Sequence, residues 1–221
     1  MAIKKNDFIE IDFVGRIKGN NAVFDLTYEE LAKKEKLYDP NMKYGPRIIC
    51  VGNGDLIKAL DDNLIGKQIG EEYKIELKNP FGDKNNSLVK ILPASKFTKE
   101  RINPFPGLQI NADGMLATVK SVSGGRVVLD FNHPLAGKDI IYEVKINKIV
   151  EDNLKKLKAF VENLLGEAED HFKVEGKDND FNINIKHDIP KALKDKFKEK
   201  AKEVMPDIKV EFVIAKGSVK E

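Results

Sequence analysis

Tryptophan is absent from this sequence, and cysteine occurs once, at Cys50. A single cysteine excludes an internal disulfide, and its place beside Ile48, Ile49 and Val51 marks it as a buried, inert thiol rather than a nucleophile. Histidine is scarce: His133, His171 and His187 are scattered, with no paired spacing that would build a metal site. No apolar run approaches the roughly 18 residues that a membrane-spanning helix needs. Residues 1–6 lack the apolar centre of a signal peptide, so a cytoplasmic protein is expected. There is no phosphate-binding glycine loop, dinucleotide fingerprint or nucleophile elbow. Charge of either sign is nearly balanced, 38 Lys+Arg against 36 Asp+Glu. That excludes a dedicated binder of nucleic acid or of membrane surfaces.

What is present is patterned. The 221 residues, 41% of them hydrophobic, suffice for one or two domains with a sizeable core. The chain is organised around Val51-Gly52-Asn53-Gly54-Asp55-Leu56-Ile57-Lys58-Ala59-Leu60. Two glycines permit a turn with positive φ, Asp55 is placed to cap a helix, and Leu56, Ile57, Leu60 and Leu64 form its apolar stripe. Before it, Ile9, Ile11 and Phe13 alternate with Glu10, Asp12 and Val14, the pattern of a half-buried strand, and Val23-Phe24-Asp25 resumes an extended segment. Residues 27–37 suit a short surface helix. Beyond the turn, Tyr73, Ile75 and Leu77 alternate, as do Tyr142, Val144 and Ile146.

Two further stretches differ in character. Residues 87–130 read as a small β module, with Ser123-Gly124-Gly125 as a hairpin signal between two apolar runs. From Glu151 the period turns helical through Leu154, Leu157, Phe160, Val161, Leu164 and Leu165. Two strands, a second helix and a closing strand follow, so residues 152–221 are expected to fold as an α-β-β-α-β unit. The first helix can pack on its own sheet or on a second subunit, which would make a homodimer.

The segments Ile11-Asp12-Phe13-Val14-Gly15, Val23-Phe24-Asp25, Val51–Ile57, Gly66-Lys67-Gln68-Ile69-Gly70-Glu71, Asn79-Pro80-Phe81-Gly82 and Tyr142-Glu143-Val144 resemble, in order and spacing, the FKBP family of peptidyl-prolyl isomerases. The insertion after Phe81-Gly82, closed by residues 130–137, is similar to the insert-in-flap domain of the SlyD-like branch. The C-terminal unit resembles the extra domain of long archaeal members. The resemblance implies an α+β fold with an antiparallel sheet wrapped on a short helix. It divides the chain into an isomerase domain (1–86 and 131–151), an insert (87–130) and a C-terminal domain (152–221).

It also implies an apolar box for a proline ring, made by Phe13, Phe24, Leu56, Ile57, Leu60, Phe81 and Tyr142. The Ile57 N–H would bind a substrate carbonyl, and Asp25 would project its carboxylate near the rotating bond. No cofactor or metal is implied. Three positions depart from the family's habit: Phe81 and Phe13 stand where tyrosines are usual, the second of which supports the aspartate, and Leu60 stands where tryptophan is frequent. The insert's apolar residues Ile91, Phe97, Ile102, Phe105, Leu108, Ile110 and Met115 are the candidates for holding unfolded chains, most of them also needed for the insert's own core. The implied partners are proline-containing unfolded or partly folded polypeptides. A non-catalytic chaperone or adaptor that keeps the fold is the second reading.

Overall fold

A ten-residue strand, β1 (Phe8–Ile17), is the scaffold of the first sheet. The chain is described here by a computed structural model covering residues 1–112, 114–168, 170–177 and 179–214; residues 215–221 of the expected C-terminal domain lie outside the described residues. One half of β1 pairs with β2 (Val23–Leu26), in a register that sets Gly15 opposite Asp25. After a short helix, α1 (Glu29–Lys34), the other half pairs with β3 (Arg47–Cys50), Phe8 opposite Cys50. A turn then leads into α2 (Lys58–Leu64) and β4 (Glu72–Leu77).

The inserted segment carries β5 (Val89–Pro93), α3 (Ala94–Lys99), β6 (Gln109–Ala112), β7 (Met115–Ser123) and β8 (Arg126–Asp130). The chain returns in β9 (Ile140–Ile149), which completes the first sheet in the order β2-β1-β9-β4, with β3 on β1. The last third comprises α4 (Asn153–Leu165), β10 (Phe172–Lys177), β11 (Asp180–Ile185), α5 (Lys191–Val204) and β12 (Lys209–Ile214). Its sheet has the order β10-β11-β12, and α5 is the crossover between the parallel strands β11 and β12.

The half-buried alternation expected of β1 is corrected: Asp12 and Val14 are buried along with Ile9, Ile11 and Phe13. A buried carboxylate is tolerated because it is hydrogen-bonded. Asp12 accepts from Thr27 Oγ1 at 2.8 Å and from Asn147 Nδ2 at 2.9 Å.

The chain forms two compact units, one of residues 1–17, 21–77 and 141–221, the other of residues 18–20 and 78–140. In the first unit, residues after 152 have their own sheet but not their own apolar core. Phe8, Cys50 and Val150 belong to the same buried cluster as Leu157, Phe160, Val161, Ile183 and Phe197. The rings of Phe8 and Phe160 meet edge to face at 6.3 Å. Helix α4 therefore lays its apolar face on both β3 and β10.

The second unit extends beyond 87–130 on both sides. Its sheet runs β5-β8-β7-β6, and Phe97 of α3 packs on Ala117, Val119, Val127 and Leu129. Gly124 and Gly125 lie at φ 55° and 72°, the two positive values that a tight two-residue hairpin requires. The ends of the insert meet: Asn85 N donates to Asn132 Oδ1 at 2.7 Å, and Asn132 Nδ2 to Asn85 O at 3.0 Å. Helix α3 lies within the stretch expected as a small β-rich module and was not itself anticipated.

Candidate active site

Strand order brings four of the expected residues into direct contact. Tyr142, on β9, donates its hydroxyl to Asp25 Oδ2 on β2 at 2.9 Å. Its ring meets Phe13 at 5.8 Å and Phe24 at 5.7 Å, both edge to face. Such pairs add about 0.5–1.5 kcal/mol beyond area burial, so the three rings form a stiff apolar wall around one carboxylate. Gly15 makes this approach possible. A Cβ there would stand 2.9 Å from Phe24 Cζ and 3.0 Å from Tyr142 Cε1.

Burial pushes the Asp25 carboxyl above its ordinary value, against the Tyr142 hydroxyl, the Arg47 guanidinium and the Leu26 backbone, which favour the charged form. Burial, followed by the Asp25 charge, pushes the Tyr142 phenol above its usual range as well. The hydroxyl is thus a permanent donor to a carboxyl at the edge of an apolar surface.

The turn after β3 places Leu56, Ile57 and Leu60. The expectation that Asp55 caps α2 is corrected: the residue before the helix is Ile57, and no side chain caps it. Asp55 instead accepts from Cys50 N at 2.8 Å and from Asn163 Nδ2 of α4 at 2.9 Å. The turn's amides are satisfied from inside the helix, where Asp61 accepts from Gly52 N at 2.8 Å and Gly54 N at 3.2 Å. Both glycines have positive φ, 81° and 84°, as the two-glycine spacing requires. Ile57 O receives the first helical bonds, from Leu60 N and Asp61 N. Its own N–H precedes the helical ladder and belongs to the set that helices leave unpaired. Burial, then the Asp55 charge, raises the Cys50 thiol to about 12, so it stays protonated.

Phe13, Leu60 and Tyr142 are buried, whereas Phe24, Asp25, Leu56 and Ile57 are half-buried. Phe81 belongs to the other compact unit, where it stacks on His133 at 4.3 Å with an interplanar angle of 8°. The insert candidates divide sharply. Phe97 is core, and Ile102, Leu108 and Ile110 pack partly buried against it. Ile91, Phe105 and Met115 are 62%, 55% and 49% exposed. Leu116, not singled out from sequence, is 58% exposed next to Met115. Sequence reasoning also passed over Gly15 as a packing requirement, Thr27 and Asp61 as backbone acceptors, and Arg47 and Asn163 as partners of the site's carboxylates. A Gly inside the strand pattern of β1 was the one signal available.

Residues 1–98 match the family model described as FKBP-type peptidyl-prolyl cis-trans isomerase, and residues 90–135 match that described as FKBP26, IF domain. The short-type peptidyl-prolyl cis-trans isomerase of Methanocaldococcus jannaschii is 34% identical over 149 residues, 66% of this chain and 94% of that protein. A probable FKBP-type 16 kDa isomerase of Pseudomonas fluorescens is 28% identical, covering 58% of this chain and 89% of its own. The FKBP-type isomerase SlyD of Treponema pallidum is 25% identical, covering 60% and 78%. An antiparallel sheet wrapped on a short helix, interrupted by an inserted module, accompanies these matches, and the chain belongs to the FKBP-type peptidyl-prolyl cis-trans isomerases.

Proposed function

We propose that this chain accelerates cis–trans rotation of X-Pro bonds in unfolded or partly folded polypeptides in the cytoplasm. Rotation needs no nucleophile, metal or proton transfer. Its barrier of roughly 18–20 kcal/mol is amide resonance, and uncatalysed exchange takes tens to hundreds of seconds. A twisted amide has lost that resonance, so a surface that binds it better than the planar form lowers the barrier. The supporting observation is the Asp25 carboxylate held by Tyr142 beside the rings of Phe13 and Phe24. The half-buried Phe24, Leu56 and Ile57 offer apolar surface for the proline ring, and the Ile57 N–H a donor for a carbonyl.

The test is a protease-coupled assay on a short X-Pro peptide. Phe24→Ala and Tyr142→Phe should each lower kcat/KM by about tenfold, equivalent to about 1.4 kcal/mol of transition-state binding, while the chain stays folded. Wild-type turnover in both variants, or none in the wild type, refutes the assignment and leaves the adaptor reading. For the insert, the exposed Ile91, Phe105 and Met115 support binding of unfolded chains. Self-association through the C-terminal region is supported by β12, the edge of its sheet among the described residues, where Val213 and Ile214 are 42% and 51% exposed. Light scattering reads the mass directly.

A further inference from the structure

Helix α4 has two faces. Leu157, Phe160 and Val161 enter the shared core, while Lys155, Lys158, Ala159 and Glu162, spaced by three and four residues, form one wall of a cleft of about 550 Å³. The facing wall comes from the 42–48 segment, and Asp25 lies on the same cleft. The volume falls within the range of ligand sites, about 300–1,000 Å³. Its carboxylates are engaged: Asp25 takes the Tyr142 hydroxyl, Glu162 takes Lys43 at 3.1 Å, and Glu167 lies 3.0 Å from His187. Among the described residues, Lys155 and Lys158 have no ion-pair partner, and Arg47 adds a further cation to the lining besides the paired Lys43.

We infer that this cleft is an extended substrate subsite, occupied by the stretch of polypeptide next to the proline and selective for an acidic side chain in that stretch. The inference rests on the isomerase reading, because the X-Pro bond held at Asp25 is what delivers the neighbouring residues to the cleft. The C-terminal helix then takes part in choosing substrates, since it supplies the two lysines that an incoming carboxylate would meet. A surface lysine–carboxylate pair contributes modestly, so the preference should be a matter of several-fold, and salt should weaken it.

The experiment uses the full chain and matched proline peptides bearing Glu, Lys or Gln two to four residues from the proline, on either flank. At low salt the Glu-to-Lys ratio of kcat/KM, each normalised to the Gln peptide, is expected to be about fivefold or more on one flank. Lys155→Glu/Lys158→Glu should invert the ratio, and Lys155→Gln/Lys158→Gln should bring it to about one. Ratios near one on both flanks in the wild type overturn the inference, as does a preference that both double variants retain. If the wild type turns over none of the peptides, the isomerase reading fails by itself. The cleft is then judged by anisotropy titration of the same labelled peptides: tighter binding of the Glu peptide that the lysine variants abolish upholds it, and equal binding of Glu and Lys peptides refutes it.

Discussion

Asn163 ties the C-terminal third to the turn that presents Leu56 and Ile57. From α4 its amide donates to Asp55 Oδ2 at 2.9 Å and to Ile48 O at 3.0 Å. The first bond is charge-assisted, a type that contributes about 1.5–3 kcal/mol, and the second is neutral, about 0.5–1.5 kcal/mol. Both are partly buried, so water replaces some of what Asn163→Ala removes, and a net loss of about 2 kcal/mol is expected. For a chain of this size that corresponds to a fall in Tm of roughly 4–8 °C. Urea unfolding followed by circular dichroism measures the loss. A cycle with Asp55→Asn isolates the pair, whose coupling should exceed about 0.5 kcal/mol.

The same variant has a pH signature. Burial already raises the Asp55 carboxyl, opposed by Cys50 N, Asn163 and Arg47 and reinforced by the Asp61 charge. Removing the Asn163 donor raises it further. A carboxyl raised in the fold contributes stability below its unfolded value and loses it as pH rises through the folded one. The deficit of Asn163→Ala should therefore be largest near neutrality and shrink on acidification. Peptide kcat/KM should fall together with stability, because Asp55 immediately precedes Leu56 and Ile57. A stability change under about 0.5 kcal/mol, or additive single variants in the cycle, would refute the reasoning. Cutting the chain at Asp152 should be more severe, since it strips cover from Phe8, Cys50 and Val150.

Gly15→Ala should cost about 1–3 kcal/mol by overpacking and lower peptide turnover, because its Cβ meets Phe24 and Tyr142 at 3.0 Å or less; unchanged stability would show that the rings yield freely. Asp25→Asn should raise Tm at neutral pH relative to the wild type, with the difference vanishing toward acid, because burial raises the wild-type carboxyl and costs stability above that pKa. Wild-type kcat/KM should be flat between about pH 6 and 8 and bend only on the acid side, above the ordinary value of 3.8; a bell centred near neutrality would contradict this. Phe105→Ser/Met115→Ser should weaken suppression of aggregation of an unfolded client while leaving Tm within about 1 °C, as expected for exposed positions; an unchanged assay removes both from the binding surface.

Periodicity made most elements legible. Alternation marked β1 and β9, the three-and-four spacing marked α4 and α5, and two glycines marked the hairpin between β7 and β8. Helix α3 was not legible, because six residues with one large apolar side chain, Phe97, carry no period. The polar interior escaped for a different reason. Asp12 and Asp61 look like surface carboxylates, and what permits their burial comes from Thr27 and Asn147 in one case and from the turn amides in the other. A charge pattern along the chain records none of these pairings. The core that joins α4 to β3 was equally hidden, since an apolar helix face looks the same whichever sheet it covers. At the site, Phe24, Asp25 and Tyr142 were all named from family likeness, yet the bond between Tyr142 and Asp25 spans 117 positions and was not foreseen.

That bond bears on what the site requires. Phe13 stands where a tyrosine commonly supports the aspartate in proteins that this sequence resembles. Here the hydroxyl comes instead from Tyr142. Phe13 and Tyr142 sit on the adjacent strands β1 and β9 with their rings 5.8 Å apart, so a donor can change strands while the carboxylate stays on β2. If the chemistry needs a hydroxyl aimed at Asp25 rather than a tyrosine at a given position, the donor should be transferable. Tyr142→Phe should lose about tenfold in kcat/KM, and Phe13→Tyr/Tyr142→Phe should recover a substantial part of it. Phe13→Tyr alone should recover nothing, because Asp25 is already served, and it should cost stability by adding an oxygen at a position only 1% exposed. The pKa of Asp25, followed through its carboxyl NMR shift, should rise in Tyr142→Phe and return toward the wild-type value in the double variant, since that hydrogen bond favours the charged form. Recovery of the pKa without recovery of turnover would show that the hydroxyl serves only to stabilise a buried charge.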